Sequence, residues 1–315
     1  MHIKMLKSYL DRLDNIKRPI AIVGTERSGT TLLYSILAND PTLYWYSRLD
    51  SLLPNSPILT TSLRKIAETV KPQVYTAIPG KISKTRGLIP PSECIPCWKK
   101  IFNWGTEDNY ILQDDYFEEF NVPPSTKEKI YDDLKLRLLV SGKKRLLFKW
   151  PGLSLKIRFL YDVFPDIIIL HIIRNPVDNL ASLIKAKKKA YQSTGERFWG
   201  IKIPGWKDLI QEDFAVQAAL QIIKVDELIE KDILQFNLVQ RKQYFRIKYE
   251  DLLSAPEQTV EKVLHFSGLK SSVRIHQALA GVSKPTSTIS REIMKSLPQS
   301  LQHKLEELSQ KYGYI

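Results

Sequence analysis

The chain has 315 residues, 43% of them hydrophobic, enough for a sizeable core and for one large α/β domain. Its 47 basic and 34 acidic residues leave a formal net charge of +13, which points to an anionic cofactor, substrate or surface and says nothing about fold. No signal-peptide pattern opens the sequence and the longest apolar run, around Ile167–Ile173, is strand-sized, so the expectation is a soluble cytoplasmic protein without stable membrane insertion.

Residues 1–19 place Met5, Leu6, Leu10 and Leu13 on one face and predict an amphipathic helix ended by Pro19. Ile20-Ala-Ile-Val23 then reads as a short buried strand, Gly24 to Gly29 as a tight loop, and Thr30 onward as a helix that buries Leu33, Ile36 and Leu37 and stops at Asn39-Asp40-Pro41. Such a loop aims the free N–H groups of a helix start at one spot, where the helix dipole adds positive charge, and so predicts a site for a phosphate-like group. The spacing Gly24-x4-Gly29 copies a Walker A loop, but Thr30 stands where that motif requires Lys, and the cation is Arg27.

Residues 42–60 are aromatic and proline-rich (Tyr44, Trp45, Tyr46, Arg48, Asp50, Pro54, Pro57) and read either as the wall of a second substrate site or as core. Helical patterns near 60–71 and 126–140 flank a segment with Pro79, Gly80, Pro90, Pro91 and Pro96, and Thr106–Phe120 reads as an acidic, aromatic surface. Cys94 and Cys97 form a Cys-x-x-Cys that cannot alone hold zinc and does not open a helix after a strand, so both read as reduced structural thiols. No repeat or low-complexity linker divides the chain. The expected organisation is one domain over 1–315, with an insertion on the acceptor side at about 42–140.

Arg145–Lys149 predicts a second strand, 153–163 a helix, and Ile167–Ile173 a third strand; these continuously apolar runs fit a parallel sheet covered on both faces. Tyr244–Lys248 alternates as an edge strand would, and a helix from Ala255-Pro256 follows. The fold class expected is α/β: a single P-loop-like domain whose central parallel sheet of about four or five strands is flanked by helices, with helical and irregular insertions. Ligands of such sheets lie beyond the carboxyl ends of the strands, which here carry the anion loop, Lys149, Arg174 and Tyr249. A magnesium–nucleotide enzyme needs an acid at a core strand end. Cations stand there instead, so a kinase or NTPase is the weaker alternative to a site that holds a multiply anionic ligand with protein charges and no metal. A basic nucleic-acid- or membrane-binding protein is a further alternative, but it leaves the phosphate motifs unexplained. Ser182 falls two turns along a helix starting near Val177, and periodicity leaves open whether it shares a ligand oxygen with Arg174.

Taken together, Arg27-Ser-Gly-Thr-Thr-Leu-Leu33 resembles the 5′-phosphosulfate loop of sulfotransferases that use 3′-phosphoadenosine 5′-phosphosulfate (PAPS), and Ile172-Ile-Arg174-Asn-Pro-Val-Asp-Asn-Leu-Ala-Ser182 resembles their 3′-phosphate motif. Phe148-Lys149-Trp-Pro151 and Lys248-Tyr249-Glu-Asp-Leu252 are similar in order and place, and the loop is closest to the bacterial branch that shares Arg-Ser-Gly-Thr-Thr with tyrosylprotein sulfotransferases. The resemblance implies that Arg27 and the amides and hydroxyls of Ser28, Gly29, Thr30 and Thr31 hold the phosphosulfate. By the same resemblance Arg174 and Ser182 hold the 3′-phosphate, Tyr249 contacts the cofactor, and Lys284, in Gly281–Thr288, closes over it. Lys149 matches a family lysine near the sulfuryl group. The activity implied is sulfuryl transfer to a hydroxyl, or an amine, of a small-molecule, natural-product or lipid-like acceptor, with Trp45, Trp98, Trp199 and Trp206 as candidate apolar walls.

An alcohol acceptor needs a general base. Where tyrosylprotein enzymes carry a Glu the chain has Tyr46-Ser-Arg48-Leu-Asp50, and no histidine lies in a motif loop. The leading candidate is Glu93, in a Pro-Ser-Glu segment that resembles an element of the bacterial branch, with Asp50 second; Glu93 reads equally as a surface carboxylate or a partner for a site cation. Glu26, an acid inside an anion loop, has no account at this level.

Overall fold

The computed structural model describes residues 16–70, 74–75, 89–103, 116, 121–282 and 291–315. The amphipathic helix expected before Pro19, most of Thr106–Phe120, and Lys284 lie outside the described residues.

In chain order the elements are β1 (Ile20–Val23), α1 (Thr30–Leu37), β2 (Leu43–Tyr44), α2 (Arg48–Leu52), α3 (Pro57–Val70), α4 (Ile95–Asn103), α5 (Pro124–Ser141), β3 (Arg145–Lys149), α6 (Ile157–Val163), β4 (Ile168–Ile173), α7 (Pro176–Thr194), α8 (Phe214–Gln235), β5 (Tyr244–Lys248), α9 (Tyr249–Ser254), α10 (Pro256–Ser267), α11 (Val273–Leu279), α12 (Arg291–Lys295) and α13 (Gln299–Lys311). Short 3-10 turns cover Pro151–Leu155 and Trp206–Leu209.

The strands form one five-stranded parallel sheet in the order β2-β3-β1-β4-β5. β1 sits at its centre, paired to β3 through Ile20↔Leu147 and to β4 through Ile20↔Ile168. Because successive side chains alternate faces, Ile20 and Ile22 enter the core layer with α1, α9 and α10, while Ala21 and Val23 enter the opposite layer with α4, α6 and α8. Each isoleucine sealed this way contributes about 1.5–3 kcal/mol of transfer free energy. β5 is an edge strand, as its alternation predicts, and its Arg246 and Lys248 are not buried.

Three expectations are corrected. β2, the other edge strand, lies inside the segment read as an insertion at about 42–140; with only Leu43 and Tyr44 in the ladder it is too short to show a strand pattern. Trp45 and Trp98 are core and not acceptor walls, and of the two readings left open for Tyr44 and Tyr46 the core one holds: Trp45 Nε1 donates to the Ala38 carbonyl at 2.9 Å and its ring meets Tyr75 edge-on, while Trp98 packs against Phe102 and Phe148. Cys94 and Cys97 are joined in a disulfide, contrary to their reading as reduced thiols. Cys94 directly precedes α4 with a left-handed φ of 44°, which sets Cys97 one turn on with the Cα atoms 5.3 Å apart, inside the span a disulfide bridges.

Candidate active site

The site is built on β1 and its loop. Gly24 turns the chain at φ 143°, where a Cβ would lie 2.4 Å from the Ile172 carbonyl oxygen, so only glycine fits beside β4. Its N–H donates to Ser154 Oγ at 2.9 Å, and that hydroxyl donates back to the Gly24 carbonyl at 2.8 Å, fixing the loop to the turn after β3. The Ser28 amide and hydroxyl both donate to the Thr25 carbonyl, at 3.3 and 2.8 Å. The structure therefore corrects the expectation for the Ser28 hydroxyl: it is fully buried and shapes the loop from inside. The first helical donor is Leu32 to Gly29, so the N–H groups of Gly29, Thr30 and Thr31 lie ahead of the α1 ladder, where an anion is favoured.

Two further residues of the glycine loop carry unusual backbone. Arg27 has φ 68°, a left-handed value that costs a non-glycine residue roughly 1 kcal/mol. Gly29, at φ 107°, lies under the ring of Tyr249; a Cβ there would sit 2.3 Å from Tyr249 Cδ2.

The strand ends converge on this loop. Arg27 Nε donates to Ser182 Oγ at 3.2 Å, and an Arg174 guanidinium N–H donates to the Arg27 carbonyl at 3.2 Å. The Arg174 guanidinium also lies 5.0 Å above the Tyr249 ring centre. Ser182 thus meets Arg27, and Arg174 approaches the same loop from the end of β4. Asn175 accepts from the Val177 amide at 3.0 Å and so starts α7, which fixes where Ser182 emerges. Glu250, unmarked by the sequence reading, ties these parts: it accepts from the Asn175 amide at 3.0 Å and from the Tyr314 hydroxyl at 2.6 Å. Burial pushes the Tyr249 hydroxyl up, with Arg174 opposing, so it stays a neutral hydrogen-bonding group.

At the end of β3, Lys149 Nζ donates to Thr31 Oγ1 at 2.9 Å and to Glu93 Oε1. The lysine side chain is 2% exposed and the glutamate 38%, so the carboxylate stands at the mouth and the ammonium inside it. Glu93 is carried there by the strand-like contact of Pro91 with Ser47 and by the Ser92 amide donating to the Tyr46 carbonyl at 2.7 Å.

Asp50 is not in this group, a correction to its candidacy as base. It is 1% exposed, closes a capping box with Ser47, accepts from Thr60 at 2.7 Å, and pairs with Arg137 at 2.6 Å. Burial pushes its carboxyl up, but Arg137 and the Ser47 and Thr60 hydrogen bonds outweigh that and hold it below the usual range. Glu26 gains an account. Its Oε1 accepts from the Ile201 amide and lies 2.8 Å from the point where a Gly200 Cβ would stand, so it pins the 196–206 segment to the anion loop.

A buried guanidinium nitrogen, Arg174 Nε, has no hydrogen-bond partner, the amides of Gly29, Thr30 and Thr31 lie ahead of the α1 ladder, and Arg27 and Lys149 reach the same loop region through Ser182 and Thr31. A buried donor in that state calls for an acceptor, and a phosphate-bearing ligand is of the right charge and chemistry.

A P-loop-like α/β fold with cations at its strand ends is the class this geometry defines. Residues 19–272 match the sulfotransferase family, and the chain belongs to it. It is 26% identical over 272 residues to the omega-hydroxy-beta-dihydromenaquinone-9 sulfotransferases Stf3 of Mycobacterium bovis and Mycobacterium tuberculosis, matching 80% of this chain and 63% of theirs. The chain thus spans less than two thirds of the length of those relatives. Among solved structures it is similar in fold to sulfotransferase STF9 from Mycobacterium avium, with TM-score 0.64, 15% identity, and coverage of 97% of this chain and 81% of that one. It is likewise similar to STF1 from Mycobacterium tuberculosis, with TM-score 0.61, 17% identity, and coverage of 96% and 80%. No helix among the described residues is long and apolar enough to cross a membrane.

Proposed function

We propose that this chain transfers a sulfuryl group from PAPS to the hydroxyl, or amine, of a small lipid-like or natural-product acceptor. The observation that carries the reading is the convergence of Arg27, Ser182, Arg174 and Tyr249 on one glycine loop, with Lys149 at the neighbouring strand end. In this reading the amides of Gly29, Thr30 and Thr31 with Arg27 receive the phosphosulfate, and Arg174 and Ser182 the 3′-phosphate. The ring of Tyr249 positions Arg174 and covers Gly29.

PAPS, when bound, supplies the sulfuryl group and an adenosine bisphosphate leaving group. Lys149 and the helix-start amides hold positive charge where negative charge develops, work done by fixed protein dipoles and cations in place of a metal. Glu93, at the mouth, takes the proton from the acceptor as its oxygen becomes the nucleophile, and its contact with Lys149 aims the carboxylate at the reacting region. The relatives named for a hydroxylated menaquinone support a hydrophobic acceptor. We read the chain as a single cytoplasmic domain, with the acceptor side formed by the residues around Glu93 and the 196–206 segment.

The test is a thermal shift with the product 3′-phosphoadenosine 5′-phosphate (PAP) in magnesium-free buffer. PAP is expected to raise Tm by mass action, and ADP much less; equal shifts would sink the reading. A screen of hydroxylated lipids with labelled PAPS then finds the acceptor.

A further inference from the structure

Helix α3 is packed inside out. Its polar residues face the protein: Thr60 donates to Asp50 at 2.7 Å, Arg64 donates to the Trp45 carbonyl and pairs with Glu68 at 3.1 Å, and all three of Thr60, Thr61 and Arg64 are buried. Its apolar residues face outward. Ile58, Leu59, Leu63, Ile66 and Val70, with Leu52 and Leu53 at the end of α2, are between 43% and 80% exposed. Single exposed apolar residues are ordinary, but a run of this length on one side of a short stretch marks an interaction surface.

The charge around it is one-sided. Arg48 and Lys99 are exposed on or beside the two helices, Lys65 turns its ammonium onto the Val140 carbonyl at 3.1 Å, and both carboxylates of the 48–70 segment turn inward: Asp50 onto Arg137, and Glu68 onto Arg64 and Lys143. The surface also adjoins the mouth of the site. Ser51, next to Leu52, shares a 2.8 Å hydroxyl contact with Ser92, the residue before Glu93, and the Arg48 amide donates to the Pro90 carbonyl at 3.1 Å. Ile95, two residues beyond Glu93, is 40% exposed and extends the apolar band toward it.

We propose that the outward face of α2 and α3 docks on an anionic lipid bilayer, with its apolar side chains in the acyl–headgroup boundary and Arg48 and Lys99 against the headgroups. A bilayer fits better than a protein partner because the described residues of 48–70 join an apolar band to basic flanks while both of their carboxylates pair inward, the pattern of peripheral membrane contacts. Delivery of a lipid-like acceptor from that bilayer to Glu93 rests on the sulfotransferase reading above; the docking itself does not.

The test is sedimentation of the purified chain with vesicles of phosphatidylcholine alone or mixed with phosphatidylglycerol, at low and high salt, for the natural chain and the double variant Leu59→Glu/Ile66→Glu. These positions are exposed and outside the cofactor site, so an unchanged Tm shift with PAP reports that the variant is folded and that the donor reading stands on its own. Expected are binding to the mixed vesicles that salt weakens, and roughly tenfold or greater loss in the double variant. Failure of the natural chain to sediment with either vesicle, or equal binding by the folded variant, overturns the proposal. So does a dimer in analytical ultracentrifugation that the double variant converts to monomer, since the face would then be covered by a second copy.

Discussion

The Arg27 guanidinium reaches the Ser182 hydroxyl at 3.2 Å across 155 residues of sequence. This contact joins the anion loop to α7 and sets the two proposed phosphate positions at a fixed separation, because α7 starts at the Asn175 cap and β4 is paired to β1 in register. On the proposed reading, that rigidity is the source of selectivity for a nucleotide phosphorylated at both ends.

Arg174→Ala is therefore expected to erase the preference for PAP over ADP. Removing a charge-assisted contact costs about 1.5–3 kcal/mol, or roughly tenfold to a hundredfold in PAP affinity, while ADP changes little. Calorimetric titration of both nucleotides checks this, and an equal loss for both would remove Arg174 from the 3′-phosphate role.

Lys149→Met and Glu93→Gln should separate binding from chemistry. Each is expected to lower kcat by about a hundredfold or more with PAP affinity changed less.

Asp50→Asn should act on stability. The substitution leaves Arg137, 1% exposed, beside a neutral partner, and breaking a buried pair of this kind costs about 3–5 kcal/mol. A large fall in Tm, with turnover per folded molecule preserved, is the expected result of denaturation and activity measurements together.

Gly200→Ala tests the Glu26 clamp. The backbone there has φ 103° and a methyl group would stand 2.8 Å from Glu26 Oε1 and 3.1 Å from Gln221 Nε2. Strain of about 1–3 kcal/mol is expected. It should appear as a lower Tm, with a weaker PAP response because the clamped segment borders the loop.

His171 gives a pH dependence. Burial within β4, with Arg246 nearby, pushes its pKa down to about 3, against 6.5 when unfolded, while its Nδ1 lies 2.9 Å from the Tyr244 hydroxyl. Between those values the unfolded chain binds more protons, so this group withdraws stability as pH falls below 6.5. Urea denaturation at pH 6.5 and at about 5 should show the natural chain losing about 2 kcal/mol more than His171→Gln over that interval.

The extent of β3 and β5, the anion loop, and the helices that follow β1 and β4 were legible in the sequence because they depend on local rules: apolar runs, glycine turns and helix stops; the 3-10 turn before α6 and α9, which starts directly at the end of β5, were not. The residue types at the strand ends were legible too, since a parallel sheet places its strand ends at the ligand whatever the intervening chain does. Where a carboxylate points is a different kind of question. Asp50 and Glu93 look alike as acids near aromatic residues, yet Arg137, far along the chain in α5, draws the first into the core, while Lys149 holds the second at the mouth. Glu26 became intelligible only once Ile201 was seen to donate to it.

The sequence by itself determined that the chain builds a parallel α/β sheet around a phosphate-type loop flanked by Arg27, Lys149 and Arg174. The tertiary structure decided which side of each element meets the protein. The periodicity of α3 marks a helix but is blind to direction, and only its buried polar contacts reveal that Ile66 and Val70 face outward. Local propensity is written in neighbouring residues; orientation and pairing are set by contacts between residues far apart, which no short stretch of sequence records.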